Sequence, residues 1–324
     1  MTLLLTEHPD LHTDAELERR ELEARVNGQY QVVRELGRGG MGVVFLARDV
    51  ALHRAVAIKV LRHEFVNSDE HRERFRREAR LTARLSHPGI VPIYTFGETD
   101  DLVYIVMKYV HGESLAERLR VSGSLPATDA AQVLYDMAEA LHYADSEGMV
   151  HRDLKAENVL IERTTGRAFL TDFGVARLRD ASPDEWERTH AIGTPHYMSP
   201  EQAAGEADLD GRSDQYSLGV LGYLMLSGTL PFQGNSFASL AAQHIVRAPA
   251  PLAELAPDAP ASVVAAVERC MAKERADRWK NGRALSEALL ETPAQQGWRV
   301  KLGTRGGWLK VVAGLAAAAA LFGR

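Results

Sequence analysis

Residues 151–158 read HRDLKAEN, which places a carboxylate at Asp153, an ammonium two positions later at Lys155 and an amide five positions later at Asn158. Carboxylate and amide oxygens suit a hard divalent cation, and an ammonium suits an oxyanion. A His-Arg-Asp run carries little weight alone, so what matters is whether the rest of the chain supplies complementary parts. Gly37, Gly39 and Gly42 in LGRGGMGVVF form a G-x-G-x-x-G pattern. In a dinucleotide-binding turn that pattern leads into a helix. Here Val43, Val44, Phe45 and Leu46 continue as a strand, so the glycines fall in a hairpin. Without a Cβ they let the backbone approach a polyphosphate closely, and a ligand-free Gly-rich hairpin is the alternative.

Lys59 closes the run VAIK. A strand lysine is ordinarily a solvated edge charge, but Val56, Ala57 and Ile58 read as buried, and a buried lysine needs a counter-charge. Glu78, on a helix predicted from Ser68 to about Leu85, is the candidate. The arginines of that helix (Arg72, Arg74, Arg76, Arg77, Arg80 and Arg84) read mostly as a solvated face.

The elements that must position these groups fall into two blocks. From Tyr30 to Tyr109 short β-rich runs dominate (YQVVREL, GVVFLARD, AVAIKVL, IVPIYTFGE, LVYIVMKYV), separated by Gly or polar breaks. The interrupting helix has Asn67 or Ser68 as a cap, Asp69 and Glu70 in its first turn and His87-Pro88 beyond its end. After Leu115 the pattern turns helical. A strand-rich small lobe is expected over about residues 28–108 and a helix-rich large lobe over 111–290, followed by a polar, Gly-containing linker at 291–307. Residues 1–27 hold a helical stretch from about Thr13 to Val26 whose thin apolar stripe predicts an arm rather than a core element.

At 324 residues the chain can bury one large core or two smaller ones. Hydrophobic content of 45% and charged content of 25% are ordinary for a globular protein, and a net charge of −6 argues against a general nucleic-acid binder. Cys270, the only cysteine, excludes an internal disulfide, and its apolar helical surroundings (Val263, Val267, Met271) predict a buried small hydrophobe. MTLLLTEHPD lacks a basic flank and is not expected to be a secretory leader.

The Gly loop, Lys59, Glu78, His151-Arg152-Asp153 with Asn158, Asp172-Phe173-Gly174 and Ser199-Pro200-Glu201 occur in the order of the eukaryotic-like (Hanks-type) protein kinase family. The chain resembles that family over roughly residues 28–290, and ELGRGGMGVVF and GTPHYMSPEQ look most like its bacterial serine/threonine kinases. The resemblance implies an α+β, bilobal protein kinase fold, with a β-rich N-lobe carrying one regulatory helix and a mainly α-helical C-lobe. It implies ATP-dependent transfer of the γ-phosphate to Ser/Thr hydroxyls of proteins. A pseudokinase, a nucleotide-sensing scaffold without turnover, is the alternative. A small-molecule kinase is disfavoured by the full activation segment.

The resemblance also assigns roles. Asp153 would accept or orient the substrate hydroxyl proton, and Lys155 would stabilise charge on the γ-phosphate. Asn158 and Asp172 would hold two Mg²⁺ ions, which Mn²⁺ could replace, and Lys59 fixed by Glu78 would grip the α- and β-phosphates. ATP would lie against Leu36, Gly37, Arg38, Gly39, Gly40, Met41, Gly42, Val44, Ala57, Met107 and Val110, with Met107 at the gatekeeper position. Asp214 in SDQYSLG matches the aspartate that anchors the catalytic loop. Lys108 stands where the family usually has Glu, and Ala156 where it usually has Pro. Neither removes a reacting group.

Arg152 and Arg177 match the family's basic pocket for a phosphorylated activation segment, and Thr194 would contact Asp153 and Lys155. Ser182 opens SPDE and reads as a helix cap. Thr189 has no such local role and is the expected phosphosite. Protein substrates and a homodimer that phosphorylates itself in trans are the expected partners. Finally, WLKVVAGLAAAAALFG spans Trp308–Gly323. Its uncharged stretch from Val311 to Phe322 would be about 18 Å long as a helix, against a bilayer core of ~30 Å. Lys310 and Arg324 could snorkel, and Arg299, Lys301, Arg305 and Lys310 supply basic charge before it. A cytoplasmic kinase domain attached to a membrane through 308–323 is expected. An Ala-rich helix docked on the protein, or the start of a longer span, are the rivals.

Overall fold

The computed structural model of the chain describes residues 9–26, 28–39, 42–99, 102–173, 195–206 and 208–290. Helix α1 (Pro9–Val26) precedes five strands: β1 (Tyr30–Arg38), β2 (Gly42–Asp49), β3 (Arg54–Leu61), β4 (Ile93–Glu98) and β5 (Val103–Lys108). They form an antiparallel sheet in the order β1-β2-β3-β5-β4. Two helices lie between β3 and β4, the short α2 (His63–Val66) and α3 (Asp69–Thr82). Side chains on a strand alternate between faces. On β3, Val56, Ile58 and Val60 therefore join one core and Ala57 and Leu61 the other.

Both faces of the sheet are covered, which is why VAIKVL reads as an apolar run rather than an alternation. Phe75 and Ala79 of α3 pack with Ala57, Leu61, Val103, Ile105 and Met107. On the opposite face Leu22 and Val26 of α1 are fully buried with Val43, Phe45, Ile58 and Val106. The expectation that α1 is an arm outside the core is therefore not met. Its stripe is thin because only the last turns meet the sheet, and burying two aliphatic side chains there contributes about 1.5–3 kcal/mol each. Helix α3 starts where the cap predicts, with Ser68 Oγ accepting from the His71 N–H. It ends at Thr82 rather than Leu85, because the Arg84 and Leu85 N–H groups bond back three residues, to Leu81 and Thr82.

The large lobe begins with β6 (Gly112–Ser114), α4 (Leu115–Ser122) and α5 (Ala127–Ser146). A 3₁₀ turn (Ala156–Asn158) leads into β7 (Val159–Glu162) and β8 (Ala168–Leu170), which join β6 in a three-stranded sheet. Among the described residues six helices follow: α6 (Pro200–Ala203), α7 (Gly211–Ser227), α8 (Phe237–Val246), α9 (Leu252–Leu255), α10 (Ala261–Cys270) and α11 (Gly282–Leu290). The buried centre is α7, packed between α5 and α10. Helices α7 and α10 come so close that a Cβ on Gly219 would lie 2.7 Å from the Cys270 Cβ. Cys270 is buried as predicted, and burial pushes its thiol up to about 12. Among the described residues no helix is long and apolar enough to cross a membrane. The 291–307 linker and the 308–323 segment lie outside the described residues.

Asp136 of α5 ties the β7–β8 hairpin to the helical core. Its carboxylate accepts from the Ala168 N–H at 2.9 Å and from Gln132 Nε2 at 2.8 Å. Burial pushes this carboxyl from 3.8 up to about 6, against the opposing pull of the Ala168 N–H, Arg167 and Gln132. The folded state therefore holds the proton more tightly than the unfolded chain, and stability falls as pH rises from about 4 to about 6. Asp136→Asn keeps an acceptor for Ala168 and cannot titrate. Chemical denaturation of both proteins should show wild type losing roughly 3 kcal/mol relative to the variant between pH 4 and 7. Parallel stability–pH curves would exclude this role for Asp136.

Candidate active site

The Gly-rich hairpin is the β1–β2 turn, with Gly37 opposite Val44 and Arg38 opposite Val43. The Gly39 N–H donates to the Gly42 carbonyl at 2.8 Å across its base. Gly42 sits tight against β3, where a Cβ would lie 2.8 Å from the Val60 carbonyl oxygen. Beneath the hairpin, Ala57, Met107 and Val110 are buried, with Leu36, Val44 and Leu160 packed against the same cluster. Ala57 and Met107 are cross-strand partners. Gly40 and Met41 lie outside the described residues.

Lys59, on the α3 face of β3, donates to Glu78 Oε1 at 3.2 Å and to Asp172 Oδ1 at 2.8 Å. Burial opposes its charge, but the two carboxylates more than offset this and hold its pKa above the ordinary lysine value. Burial likewise disfavours the ionised Asp172, yet Lys59 draws its pKa below the usual carboxylate range. One ammonium thus joins a strand of the small lobe, helix α3 and the segment after β8.

The loop from His151 to Lys155 is held from below. The His151 and Arg152 N–H groups donate to the two oxygens of Asp214, near the start of α7, at 2.7 and 2.8 Å. Burial pushes the Asp214 carboxyl up, and these N–H groups with the Arg152 charge oppose the shift. His151 Nδ1 accepts from the Asp153 N–H at 3.3 Å, so Nε2 carries the proton and donates to the Thr171 carbonyl at 3.1 Å. Its ring lies 4.8 Å from that of buried Phe173. Arg152 and Asp172 adopt left-handed backbone conformations, with φ of 67° and 55°.

Above this platform Lys155 Nζ lies 3.0 Å from Asp153 Oδ2. Asn158 Nδ2 donates to the Asp153 carbonyl at 2.7 Å, which leaves Oδ1 as the atom able to meet a cation. The β7–β8 pairing of Val159 with Leu170 brings Asn158 beside the segment carrying Asp172, and the Thr171 N–H donates to the Asn158 carbonyl at 3.0 Å. Among the described residues no three His, Cys, Asp or Glu side chains cluster to hold a metal. Asn158 and Asp172 are hard oxygen donors, and they fit an ion such as Mg²⁺ that takes one or two protein ligands and completes its shell with phosphate and water.

Two features escaped the sequence reading. Arg72 and Arg76 are not simply a solvated face: Arg72 Nη2 and Arg76 Nη2 both reach Glu98 Oε1 on β4, at 2.9 and 2.6 Å. Arg76 most strongly, then Arg72, hold the Glu98 carboxyl below its ordinary range against the effect of burial. Glu201 is held by Arg278, whose Nη1 and Nη2 donate to its two oxygens at 2.7 and 2.8 Å, with Arg278 fully buried. Removing either partner would leave a buried charge at a cost of about 3–5 kcal/mol. Ser199 and Gln202 form a capping box at the start of α6, and Gln202 Nε2 donates to the Arg152 carbonyl at 2.9 Å. Lys108 turns toward Glu162 and lies over the Phe169 ring at 4.0 Å. Gly174, Arg177, Ser182, Thr189 and Thr194 lie outside the described residues.

The double arginine grip on Glu98 fixes α3, and through it Glu78. Glu98→Ala should lower kcat/KM for phosphoryl transfer by about 10-fold, the size of a positioning contact. Combined with Glu78→Gln it should add little, because both losses act through Lys59. Full additivity in steady-state kinetics would show that Glu98 acts elsewhere.

The comparisons with known proteins agree with this geometry. The chain is 43% identical over 82% of its length to the serine/threonine-protein kinase pkn2 of Myxococcus xanthus, and spans 32% of that protein. It is 39% identical over 79% of its length to PrkC of Bacillus subtilis, spanning 39% of it. With PknA of Mycobacterium tuberculosis it shares 40% identity over 82% of its length and 61% of the relative. The chain therefore spans from about a third to three-fifths of these relatives. The solved PknI kinase domain of Mycobacterium tuberculosis superposes with a TM-score of 0.62 at 32% identity, over 82% of this chain and 96% of that one. The family model described as protein kinase domain matches residues 30–290, and with the hairpin, the shared lysine and the pinned loop in one cleft the chain belongs to the protein kinase family, alongside the bacterial serine/threonine kinases.

Proposed function

We propose that this chain is an ATP- and Mg²⁺-dependent, non-specific serine/threonine protein kinase. The carrying observation is Lys59 bonded to both Glu78 and Asp172. That arrangement puts α3, the small-lobe sheet and the cation-binding segment in mutual register. When bound, ATP supplies the phosphoryl group, and Mg²⁺ or Mn²⁺ neutralises phosphate charge. Lys59 orients the α- and β-phosphates, and Leu36, Val44, Ala57, Met107 and Val110 enclose the base. Asn158 Oδ1 and the Asp172 carboxylate would hold the metal. Asp153 accepts a hydrogen bond from the substrate hydroxyl, aims its oxygen in line with the γ-phosphorus and receives its proton. The new O–P bond forms as the bond to the ADP oxygen breaks. Lys155, already 3.0 Å from Asp153, balances charge on the transferred group. The relatives' names as serine/threonine kinases support a Ser or Thr acceptor on a protein.

Regulation is proposed to run through the activation segment. A phosphate on Thr189 would bring roughly −1.5 to −2 charges to Arg152 and Arg177, with Thr194 contacting Asp153 and Lys155. Autophosphorylation in trans within a homodimer would supply it, and the 308–323 segment would attach the kinase domain to a membrane.

Purified wild type with ATP and Mg²⁺ should gain phosphate detectable by mass spectrometry. Asp153→Asn and Lys59→Met should each lose about 10²–10⁴-fold of that activity at unchanged circular dichroism. If wild type gains none with varied metals and protein substrates, the nucleotide-sensing scaffold replaces the kinase. Thr189→Ala should lower kcat/KM toward an external protein several-fold, the scale of a segment-ordering contact. Arg152→Ala should make activity insensitive to phosphate at Thr189. Phosphosite mapping with kinetics decides this: full activity in Thr189→Ala and loss in Ser182→Ala at equal thermal stability would move the switch to Ser182.

A further inference from the structure

The last turns of α1 present one stripe at four-residue spacing, Glu18, Leu22 and Val26, and all three side chains are buried. Leu22 and Val26 enter the core of the small lobe. Glu18 sits one turn before them and meets the nucleotide hairpin instead: its Oε2 lies 3.0 Å from Arg38 Nη1, with 5% of the Glu18 side chain and 22% of the Arg38 side chain exposed. Arg38 stands between Gly37 and Gly39. Among the described residues, a Cβ at Gly37 would meet nothing within 4 Å, and one at Gly39 would meet the Gly42 carbonyl at 3.9 Å. The hairpin flank is thus open, and Arg38 ties it to a packed helix. A second carboxylate, Glu35, reaches Arg38 at 3.4 Å but belongs to β1 itself and is 36% exposed. Among the described residues, Glu18 is the ion-pair partner of Arg38 that comes from outside β1. The helix end is fixed in turn, since the Gln29 N–H donates to the Val26 carbonyl and the Val50 N–H to the Gln29 carbonyl, each at 3.0 Å.

We propose that Glu18 is a positioning residue for ATP binding, holding the β1 arm of the hairpin, Gly37–Gly39, through Arg38 so that α1 acts as a clamp on that arm. This rests on the reading of the hairpin as the ATP site. A flexible glycine loop loses conformational freedom when it orders over a ligand, and a loop already tethered loses less, so the clamp lowers the concentration of ATP needed. It also turns the Arg38 guanidinium toward α1. Because Arg38 keeps Glu35 as a weaker partner, loss of Glu18 should weaken binding without abolishing it.

The test uses the full-length chain, wild type, Glu18→Gln and Glu18→Leu, with a fluorescent ATP analogue for Kd, steady-state kinetics for KM and kcat, and thermal melts. Both variants should raise Kd and KM for ATP by about 3- to 10-fold with kcat within about twofold. Arg38 is partly exposed and keeps Glu35, so neither variant should lower Tm by more than a few degrees. A rise in Kd and KM for ATP with kcat retained is a split that a merely structural ion pair would not produce. Should Glu18→Leu fail to fold, Glu18→Gln carries the same comparison. Unchanged Kd and KM in a folded variant, with wild type binding the analogue, overturn the clamp alone. Wild type that binds no analogue overturns the ATP-site reading and the clamp with it.

Discussion

A buried ammonium cannot stand without an opposing charge, and Lys59 meets that constraint with two carboxylates from different parts of the chain. Glu78 comes from a helix packed under the small-lobe sheet and Asp172 from the segment that follows β8 in the large lobe. Neither partner can move far without leaving the lysine undercompensated. The rest of the small lobe can be understood as what keeps those three side chains within reach: β3 between two neighbours, α3 capped by Ser68, and Glu98 gripping α3 from the edge strand.

The large lobe answers a second constraint, that a loop without regular hydrogen bonds must be satisfied by something else. Asp214 takes two N–H groups of the loop, His151 bridges it to Thr171, and Gln202 takes the Arg152 carbonyl. The Glu201–Arg278 pair lies under the same region and also engages Ser213 of α7. Charges otherwise costly to bury thus sit where several chain segments converge, and Asp153, Lys155 and Asn158, the residues proposed to act on phosphate and metal, rest on that junction.

Much of this was legible in the sequence because the motif residues carry their spacing with them. VAIK, HRDLKAEN and Asp172 pointed to one region, where the structure brings Lys59, Glu78 and Asp172 together, and the resemblance to the kinase family implied their roles. Helix α3 was found from Ser68 and its acidic first turn. What escaped were partners separated in sequence and unmarked by any local pattern. Arg278 follows a polar stretch and gives no sign of being fully buried, and Arg72 and Arg76 look like their exposed neighbours until Glu98 is placed beside them. Helix α1 was misjudged for a related reason: two aliphatic residues and a glutamate make a weak stripe, and nothing in them reveals that one face of the sheet lacks another cover.

The left-handed conformations at Arg152 and Asp172 have a consequence for the design of the centre. Each costs about 1–2 kcal/mol for a residue with a Cβ, and glycine would remove that cost together with the side chain the site requires. The loop therefore does not specify its own shape. It takes that shape from α7, a helix that begins more than fifty residues later in the chain and whose Asp214 accepts from two of its N–H groups. Variation inside α7 thus reaches the chemistry without touching it, and the boundary of the active site is drawn by what bears the strain rather than by what meets the substrate.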